Sequence, residues 1–236
     1  ALCDVAKTAV LEVNEGQPRA CGGYNETIHI SEVDYIVQSK YNSLPEMKSS
    51  EPNEVQLKIA ENISEFLEDG MTLQLGFGSM PDMICKAIRD KGLKNIGIHS
   101  ELFTEGMMEL MEEGIINGKE KTLNRGKVVY TFASGSKKLY EYIDHNSALA
   151  AYPVEYVNNS NIISQNDKMI SINSALKIDL TGQINAESVG PHQISGSGGQ
   201  LDFHRGAYQS KGGKAIIAIP STYTDKNGKI ISNIVP

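Results

Sequence analysis

The sequence has no tryptophan, only three cysteines and few aromatic residues, which make up 6% of its 236 positions. Cys3, Cys21 and Cys85 are odd in number and show no Cys-x-x-Cys spacing, which argues against a disulfide framework and favours a reducing cytoplasm. Basic residues are outnumbered by acidic ones, 22 to 29. The formal net charge of -7 makes broad binding to nucleic acid or to anionic membranes unexpected. No apolar run approaches the roughly 20 residues of a membrane span.

Several catalytic and cofactor signatures are missing as well. The five histidines show no His-Glu-x-x-His spacing, so we expect no metal site. No Gly-x-Ser-x-Gly turn lies between a strand and a helix, which argues against an α/β-hydrolase triad. Residues 76–81 form an incomplete Gly-x-Gly-x-x-Gly turn, with Pro81 in place of the third glycine. With no evident ribose-binding acid at a strand end, a nicotinamide enzyme is disfavoured.

The sequence does contain alternating strand and helix patterns. Apolar residues at helical spacing predict helices, and short apolar runs predict strands between them. Successive βα units predict an α/β fold with an open, mostly parallel sheet flanked by helices. The predicted helices are 55–67, 81–91, 104–113 and 136–143. The predicted strands are 71–75, 96–98, 128–132, a long run at 169–180, and 215–219 before a hairpin turn at 225–228.

The first fifty residues have a different pattern. Runs at 10–13, 28–30 and 33–37 predict strands without covering helices, and 39–54 has the Ser, Asn, Pro and Glu content of a linker. We expect these strands to be the end of another α/β domain. The chain begins without Met and ends without a closing helix, so we expect both ends to continue in a longer protein.

Glu101 is the first candidate for chemistry. It is expected just past the carboxyl end of the strand at 96–98, where ligands gather in open α/β sheets. A carboxylate there could be a nucleophile, a base or a metal ligand. Alternatively, it could only stabilise the following helix through the helix dipole. His99 is interpreted as a core or supporting residue. Four acidic residues further along are interpreted as solvated helix charges: Glu105, Glu109, Glu112 and Glu113.

Two glycine-rich segments could approach a ligand closely. At 76–81, a turn between a strand and a helix could present backbone N–H groups to an anion, or it could be only a tight turn. At 194–200, three glycines and two serines suit an oxyanion hole or a phosphate cradle, with a flexible loop as the alternative. His192 and His204 flank the second segment and could orient groups there. Asp202 and Arg205 could clamp a ligand, or they could form a structural ion pair, which we favour.

Taken together, four segments resemble the acetyl-CoA hydrolase/transferase family, and its 4-hydroxybutyrate and butyryl-CoA:acetate CoA-transferase branch in particular. The segments are Gly76-Phe77-Gly78-Ser79-Met80-Pro81, Gly97-Ile98-His99-Ser100-Glu101-Leu102-Phe103, Ser171-Ile172-Asn173-Ser174-Ala175-Leu176, and the run from Ser195-Gly196-Ser197-Gly198-Gly199-Gln200 to Gly206-Ala207. The resemblance implies that 1–50 is the end of an N-terminal CoA-transferase domain plus a linker. It implies that 51–236 is a C-terminal CoA-transferase domain that is truncated at its end.

The resemblance also implies roles. Glu101 would be the nucleophile that carries CoA as a glutamyl thioester in ping-pong catalysis. Gly198 and Gly199 would donate to the oxyanion, and further contacts to CoA would come from Gly76, Gly78, Ser79, Met80, Pro81, Asn173 and Leu176. Coenzyme A would be a substrate, with no permanently bound cofactor, and a homodimer or higher homo-oligomer is implied. An acyl-CoA hydrolase and a non-catalytic CoA-binding domain remain the alternatives.

Overall fold

A computed structural model describes residues 5–40, 43–47, 52–76, 78 and 80–236. The helices are α1 (Glu54–Ser64), α2 (Met80–Asp90), α3 (Glu105–Glu112), α4 (Lys137–Ile143), α5 (Val154–Val157), α6 (Ser160–Ile163) and α7 (Gln200–Gln209), with a 3-10 helix at Ile30–Glu32. The strands are β1 (Val10–Val13), β2 (Tyr35–Gln38), β3 (Thr72–Leu75), β4 (Gly97–Ile98), β5 (Leu102–Phe103), β6 (Val128–Tyr130), β7 (Phe132–Ala133), β8 (Leu149–Ala151), β9 (Met169–Ser174), β10 (Lys177–Asp179), β11 (Ile184–Asn185), β12 (Ser188–Val189), β13 (His192–Gln193), β14 (Lys214–Ala218), β15 (Thr222–Thr224), β16 (Ile230–Ser232) and β17 (Ile234–Val235).

A parallel sheet with the order β14-β9-β3-β4 forms the centre of the molecule. An isolated parallel bridge between His99 and Val129 extends it to the parallel pair β6–β8. A second bridge joins Gly22 to Ala151 at the far side. The predicted α/β fold with a mostly parallel sheet flanked by helices is therefore confirmed, and the carboxyl ends of its strands share one edge.

The core lies between this sheet and the helices α1 to α4. Strand β3 is buried along its whole length, as expected of a strand covered on both faces. Helix α1 begins at a capping box in which Asn53 and Gln56 bond each other's backbone N–H groups. Helix α4 begins at Ser136, whose hydroxyl accepts from the backbone N–H of Leu139. The largest buried side chains include Phe103, Met107, Met108, Ile84 and Ile88.

The predicted strand at 28–30 is wrong, because this segment leads into the 3-10 helix. The His29 ring accepts from the backbone N–H of Ser31, and Glu32 accepts from the backbone N–H of His29 at 3.3 Å. Such local side-chain bonds compete with strand pairing. The neighbouring predictions of strands at 10–13 and 33–37 correspond to the parallel pair β1–β2.

Two long strand predictions are each divided in the structure. The run at 128–132 separates into β6 and β7, because the backbone N–H groups of Thr131 and Phe132 both turn to one carbonyl, that of Glu101. The run at 169–180 separates into β9 and β10, because Leu176 turns away to bond Asn185 at 2.8 Å. Strand β10 then pairs with β11 and β17 in a separate sheet.

The sequence analysis also missed β8, α5, α6 and α7. Helices α5 and α6 have only four residues each, too short for a helical period to stand out. In the part of the chain that the structure describes, no helix is long and apolar enough to cross a membrane. The predicted boundary between 1–50 and 51–236 stays a prediction, and the predicted linker falls partly outside the described residues.

Candidate active site

Glu101 lies between β4 and β5, at the carboxyl edge of the central sheet. Its backbone carbonyl accepts from the N–H groups of Thr131 and Phe132, each at 3.0 Å. The preceding residue, Ser100, donates its backbone N–H to Val129. The main chain on both sides of Glu101 is therefore attached to neighbouring strands, while the side chain is only partly buried. The backbone therefore fixes the position from which the carboxylate extends, while part of the carboxylate stays accessible.

Asn158 is the direct partner of this carboxylate. Its side-chain amide donates to Glu101 Oε2 at 2.7 Å, although 57 residues separate the two in sequence. Asn158 directly follows α5, and its backbone N–H bonds Val154 at 2.8 Å. Its Oδ1 atom is buried without a hydrogen-bond partner. Sequence reasoning missed Asn158, which lies seven residues after the strand β8 and directly after α5.

The second glycine segment meets Glu101 at Gly199. A methyl group on Gly199 would collide with Glu101 Oε2 and with Asn158 Nδ2. Gly199 is buried, and α7 begins at the next residue. Gly198 has a φ of +53°, a left-handed backbone that glycine adopts without strain. The structure thus brings together three predicted residues, Glu101, Gly198 and Gly199.

An open cleft of about 680 Å³ lies over this group, within the size range of ligand sites. Its lining residues are Glu101, Val154, Glu155, Asn158, Asn159, Ser160, Ser197, Gly198 and Asp202. Three of them carry carboxylates, and none of the described lining residues is Lys, Arg or His. Among the described residues there is no group of three or more His, Cys, Asp or Glu that could hold a metal ion.

The first glycine segment lies one strand away, at the end of β3. Gly76 donates its backbone N–H to Ile172 at 2.9 Å. A methyl group on Gly76 would lie 2.7 Å from Asn173 Oδ1. Gly78 has a φ of +112° with open space around it. The helix α2 begins at Met80, which is half-buried, followed by the buried Pro81. Ser79 lies outside the described residues.

A buried polar cluster joins this turn to α7. Gln74 Oε1 accepts from the Ser171 hydroxyl at 2.6 Å and from the Asn173 amide at 2.9 Å. Gln74 Nε2 in turn donates to Asn173 Oδ1 at 3.1 Å. The His204 ring, on α7, lies 3.2 Å from the Ser171 hydroxyl, and burial lowers the pKa of His204. The amide of Asn173 therefore faces protein, and its contact with CoA stays a prediction.

Other sequence candidates lie elsewhere. Leu176 is half-buried in the turn between β9 and β10 and is not among the cleft's lining residues. The interpretation of Glu105 as a solvated charge is wrong, because its carboxylate accepts from the backbone N–H and the hydroxyl of Ser136, at 3.0 and 2.7 Å. Glu105 thus supports the start of α4. His192 is exposed on β13.

A buried lysine lies behind the site. Lys121 is 3% exposed, and its ammonium donates to the carbonyls of Ile98 and Lys127 at 2.8 and 3.0 Å. Burial lowers the pKa of Lys121 to about 7. A methyl group on Gly97 would collide with the lysine stem, so the glycine in β4 makes room for it. Nothing in the sequence marked Lys121 as buried.

Comparison with known proteins agrees with the fold and with the motifs. Residues 135–236 match the acetyl-CoA hydrolase/transferase C-terminal domain. The 4-hydroxybutyrate coenzyme A transferase of Clostridium kluyveri is 50% identical over 217 residues, which are 92% of this chain and 49% of that protein. The probable butyrate:acetyl-CoA coenzyme A-transferase of Syntrophomonas wolfei is 44% identical over 100% of this chain and 53% of its own length.

A solved structure extends the comparison to three dimensions. The 4-hydroxybutyrate CoA-transferase from Porphyromonas gingivalis is 42% identical, with a TM-score of 0.83 over 99% of this chain and 54% of that chain. The chain belongs to the acetyl-CoA hydrolase/transferase family. It spans about half the length of the curated relatives that it matches.

Proposed function

We propose that this chain carries the nucleophile of a CoA-transferase, which moves CoA between a short-chain acyl-CoA and acetate. The acyl group would be butyryl or 4-hydroxybutyryl, as in the names of the relatives. One observation carries the proposal: Glu101 is held at a strand end with one oxygen against Asn158 and Gly199, beside an open cleft. That is the placement a reacting carboxylate needs.

The proposed reaction has two half-reactions. The Glu101 carboxylate attacks the thioester carbonyl of the acyl-CoA, the carbon–sulfur bond breaks, and a mixed anhydride and CoA thiolate result. The thiolate attacks the glutamyl carbonyl, which releases the acyl group as a free carboxylate and leaves CoA on Glu101 as a thioester. Acetate then attacks this thioester to form a second anhydride, and the thiolate takes the acetyl group. Acetyl-CoA leaves and Glu101 is restored.

Each attack passes through a tetrahedral oxyanion that needs hydrogen-bond donors. In our proposal Gly198 and Gly199 supply backbone N–H groups. At Gly199 only glycine fits beside Glu101, and at Gly198 the left-handed φ of +53° favours glycine. The Asn158 amide orients the carboxylate through its bond to Oε2. The other carboxylate oxygen, Oε1, is then free to attack the substrate.

Coenzyme A itself would bind as a substrate, along the edge from the Gly76 turn to the cleft. The described lining of the cleft carries only negative charge, which disfavours the phosphates of CoA there. We therefore propose that the phosphates lie toward Gly78 and the start of α2 at Met80, because backbone N–H groups at a helix N-terminus favour an anion, although Pro81 has none to donate. The role of Leu176 as a further contact, and assembly as a homo-oligomer, belong to the same proposal.

The test is an assay of the full-length protein with butyryl-CoA and an acid acceptor. We expect butyrate and acetyl-CoA to form together when acetate is present, and little free thiol when it is absent. An acyl-CoA hydrolase on the same scaffold is the second candidate, favoured by the openness of the cleft and by the family's inclusion of hydrolases. It would release free thiol from acyl-CoA at the same rate with and without acetate. A non-catalytic CoA-binding domain would give neither product.

A further inference from the structure

We infer that His99 is a positioning residue for Glu101, and that it acts through Val157 and Asn158. The inference rests on the proposed function, because the residue that His99 would hold in position is the proposed nucleophile. His99 precedes Glu101 by two residues, and Val157 directly precedes Asn158. The His99 ring is bonded to Val157 and the Glu101 carboxylate to Asn158. Two side chains from one strand end thus reach two consecutive residues at the end of α5.

The His99 end of this link is rigid. Its backbone N–H bonds Leu73 in β3 at 3.2 Å, and the next N–H, from Ser100, bonds Val129 in β6 at 3.0 Å. The imidazole is fully buried and packs beside two aromatic rings, with Tyr156 at 6.3 Å and Phe203 at 6.2 Å between ring centroids. The side chain therefore starts from the central sheet and has little freedom to turn.

The contact at the other end defines the state of the ring. His99 Nε2 lies 2.9 Å from the carbonyl oxygen of Val157. Because a carbonyl only accepts, Nε2 carries the hydrogen and donates. Burial, followed by the neighbouring charge of Lys121, lowers the pKa of His99 to about 3. The ring is consequently a neutral donor over the whole working range of pH, and its bond to Val157 does not change with protonation.

The bond helps to fix a short segment, whose Tyr156 also donates its hydroxyl to Asn124 Oδ1 at 2.9 Å. Helix α5 has only four residues, and a helix of that length is not stable alone. Without the His99 donor, the carbonyl of the fully buried Val157 would lose its partner, which costs free energy. A shift of Val157 would let its carbonyl find another partner. Such a shift would also move the next residue, Asn158, and its bond to Glu101. His99 would thus control the geometry of the carboxylate without touching the substrate.

The test compares two substitutions at His99 in the full-length transferase. His99→Phe keeps a planar aromatic ring, somewhat larger than the imidazole, and removes the donor, whereas His99→Gln places an amide donor near the position of Nε2. We expect His99→Phe to lower kcat by roughly tenfold or more, as small misplacements of reacting groups do. We expect the KM for acyl-CoA to change less than about twofold, because the interaction lost is not a binding contact. His99→Gln should recover most of kcat, with an unchanged pH profile.

A double substitution separates positioning from general damage. If His99 acts through Asn158, His99→Phe should add less than about a twofold further loss to Asn158→Ala, because the two changes remove one link. Ile163→Val is the matched control, since Ile163 lies in the same buried cluster as Val157 and makes no such hydrogen bond through its side chain. It should lower Tm while leaving kcat near wild type.

The inference would be overturned by wild-type kcat in His99→Phe, by no recovery in His99→Gln, or by multiplying losses in the double variant. Loss of a limb of the pH profile in His99→Gln would instead make His99 an acid or base, and would also contradict the inference. Failure of the wild-type protein to transfer CoA at all would contradict the proposed function, so the two failures are distinguishable.

Discussion

The amide of Asn158 and the carboxylate of Glu101 are joined at 2.7 Å across the carboxyl edge of the central sheet. The bond engages one carboxylate oxygen, and Gly199 packs against the same oxygen. Asn158 precedes β9 in the sequence and Gly199 follows it. Three distant parts of the chain therefore meet at Glu101 Oε2. The proposed reaction depends on these contacts, because they orient the carboxylate of Glu101.

Removing the amide of Asn158 is expected to disable the carboxylate. Asn158→Ala should lower kcat roughly tenfold to a hundredfold, because an aligned donor is lost at the reacting group. Asn158→Asp should be worse, since it places a second negative charge at hydrogen-bond distance from Glu101. Steady-state kinetics of butyryl-CoA transfer to acetate check both. Asn161→Ala, at an exposed position three residues away, is the control, and an equal loss there would contradict the assignment.

A methyl group at Gly199 is expected to displace the carboxylate. Gly199→Ala should lower kcat at least tenfold, because its Cβ would overlap both Glu101 and Asn158. Gly196→Ala is the matched control in the same segment: nothing lies within 4 Å of its added methyl group, and its activity should stay near wild type. If both variants keep wild-type activity, close approach of Gly199 to Glu101 is not needed.

Lys121 is expected to make stability depend on pH. The pKa of Lys121 is lowered to about 7 from an ordinary 10.5, so between these values the unfolded chain binds more protons than the folded one. Stability should therefore rise with pH across this window, by up to roughly 1 kcal/mol per pH unit. Below about pH 7 the lysine is protonated in both states, and its contribution no longer changes with pH.

The measurement for Lys121 is guanidinium unfolding at pH 7 and pH 9. The free energy of unfolding of wild type, relative to Lys121→Met, should increase between the two pH values. Lys119→Met, at an exposed position in the same loop, should show no such change relative to wild type. An equal pH dependence in wild type and Lys121→Met would mean that Lys121 titrates normally in the folded protein.

The buried cluster around Gln74 is expected to contribute stability. Gln74→Leu leaves the Ser171 hydroxyl and the Asn173 amide without their shared acceptor. It should lower the free energy of unfolding by about 1–3 kcal/mol, measured by chemical denaturation. Gln209→Leu, on the exposed face of α7, should have a small effect. A neutral Gln74→Leu would show that the cluster relaxes without cost.

Regular patterns in the sequence predicted the scaffold well. The helices α1, α2 and α3 and the strands β3 and β4 follow from apolar periodicity and from glycine and proline at their ends, and these elements position Glu101. The pattern failed where the backbone bends locally, as at Thr131 and Leu176, because a change of partner strand leaves the run of apolar residues unbroken. The short helix α5 has no period to detect.

The site was predictable only in part, for a similar reason. Glu101 follows a strand end, and Gly198 and Gly199 stand in a visibly unusual segment, so each had a local signal. Asn158 had only the weak signal of a polar residue some distance after an apolar run. The contacts of Lys121 and His99 depend on side chains that reach across the sheet, and no local pattern encodes such contacts.

The most direct test of the account is to trap the covalent intermediate on Glu101. The full-length protein is incubated with butyryl-CoA alone, reduced with borohydride, digested and examined by peptide mass spectrometry. We predict a reduced side chain at Glu101 in the wild type, none in Glu101→Gln, and loss of the signal when acetate is added before reduction. CoA transfer that proceeds with modification at another residue, or at full rate in Glu101→Gln, would contradict Glu101 as the nucleophile.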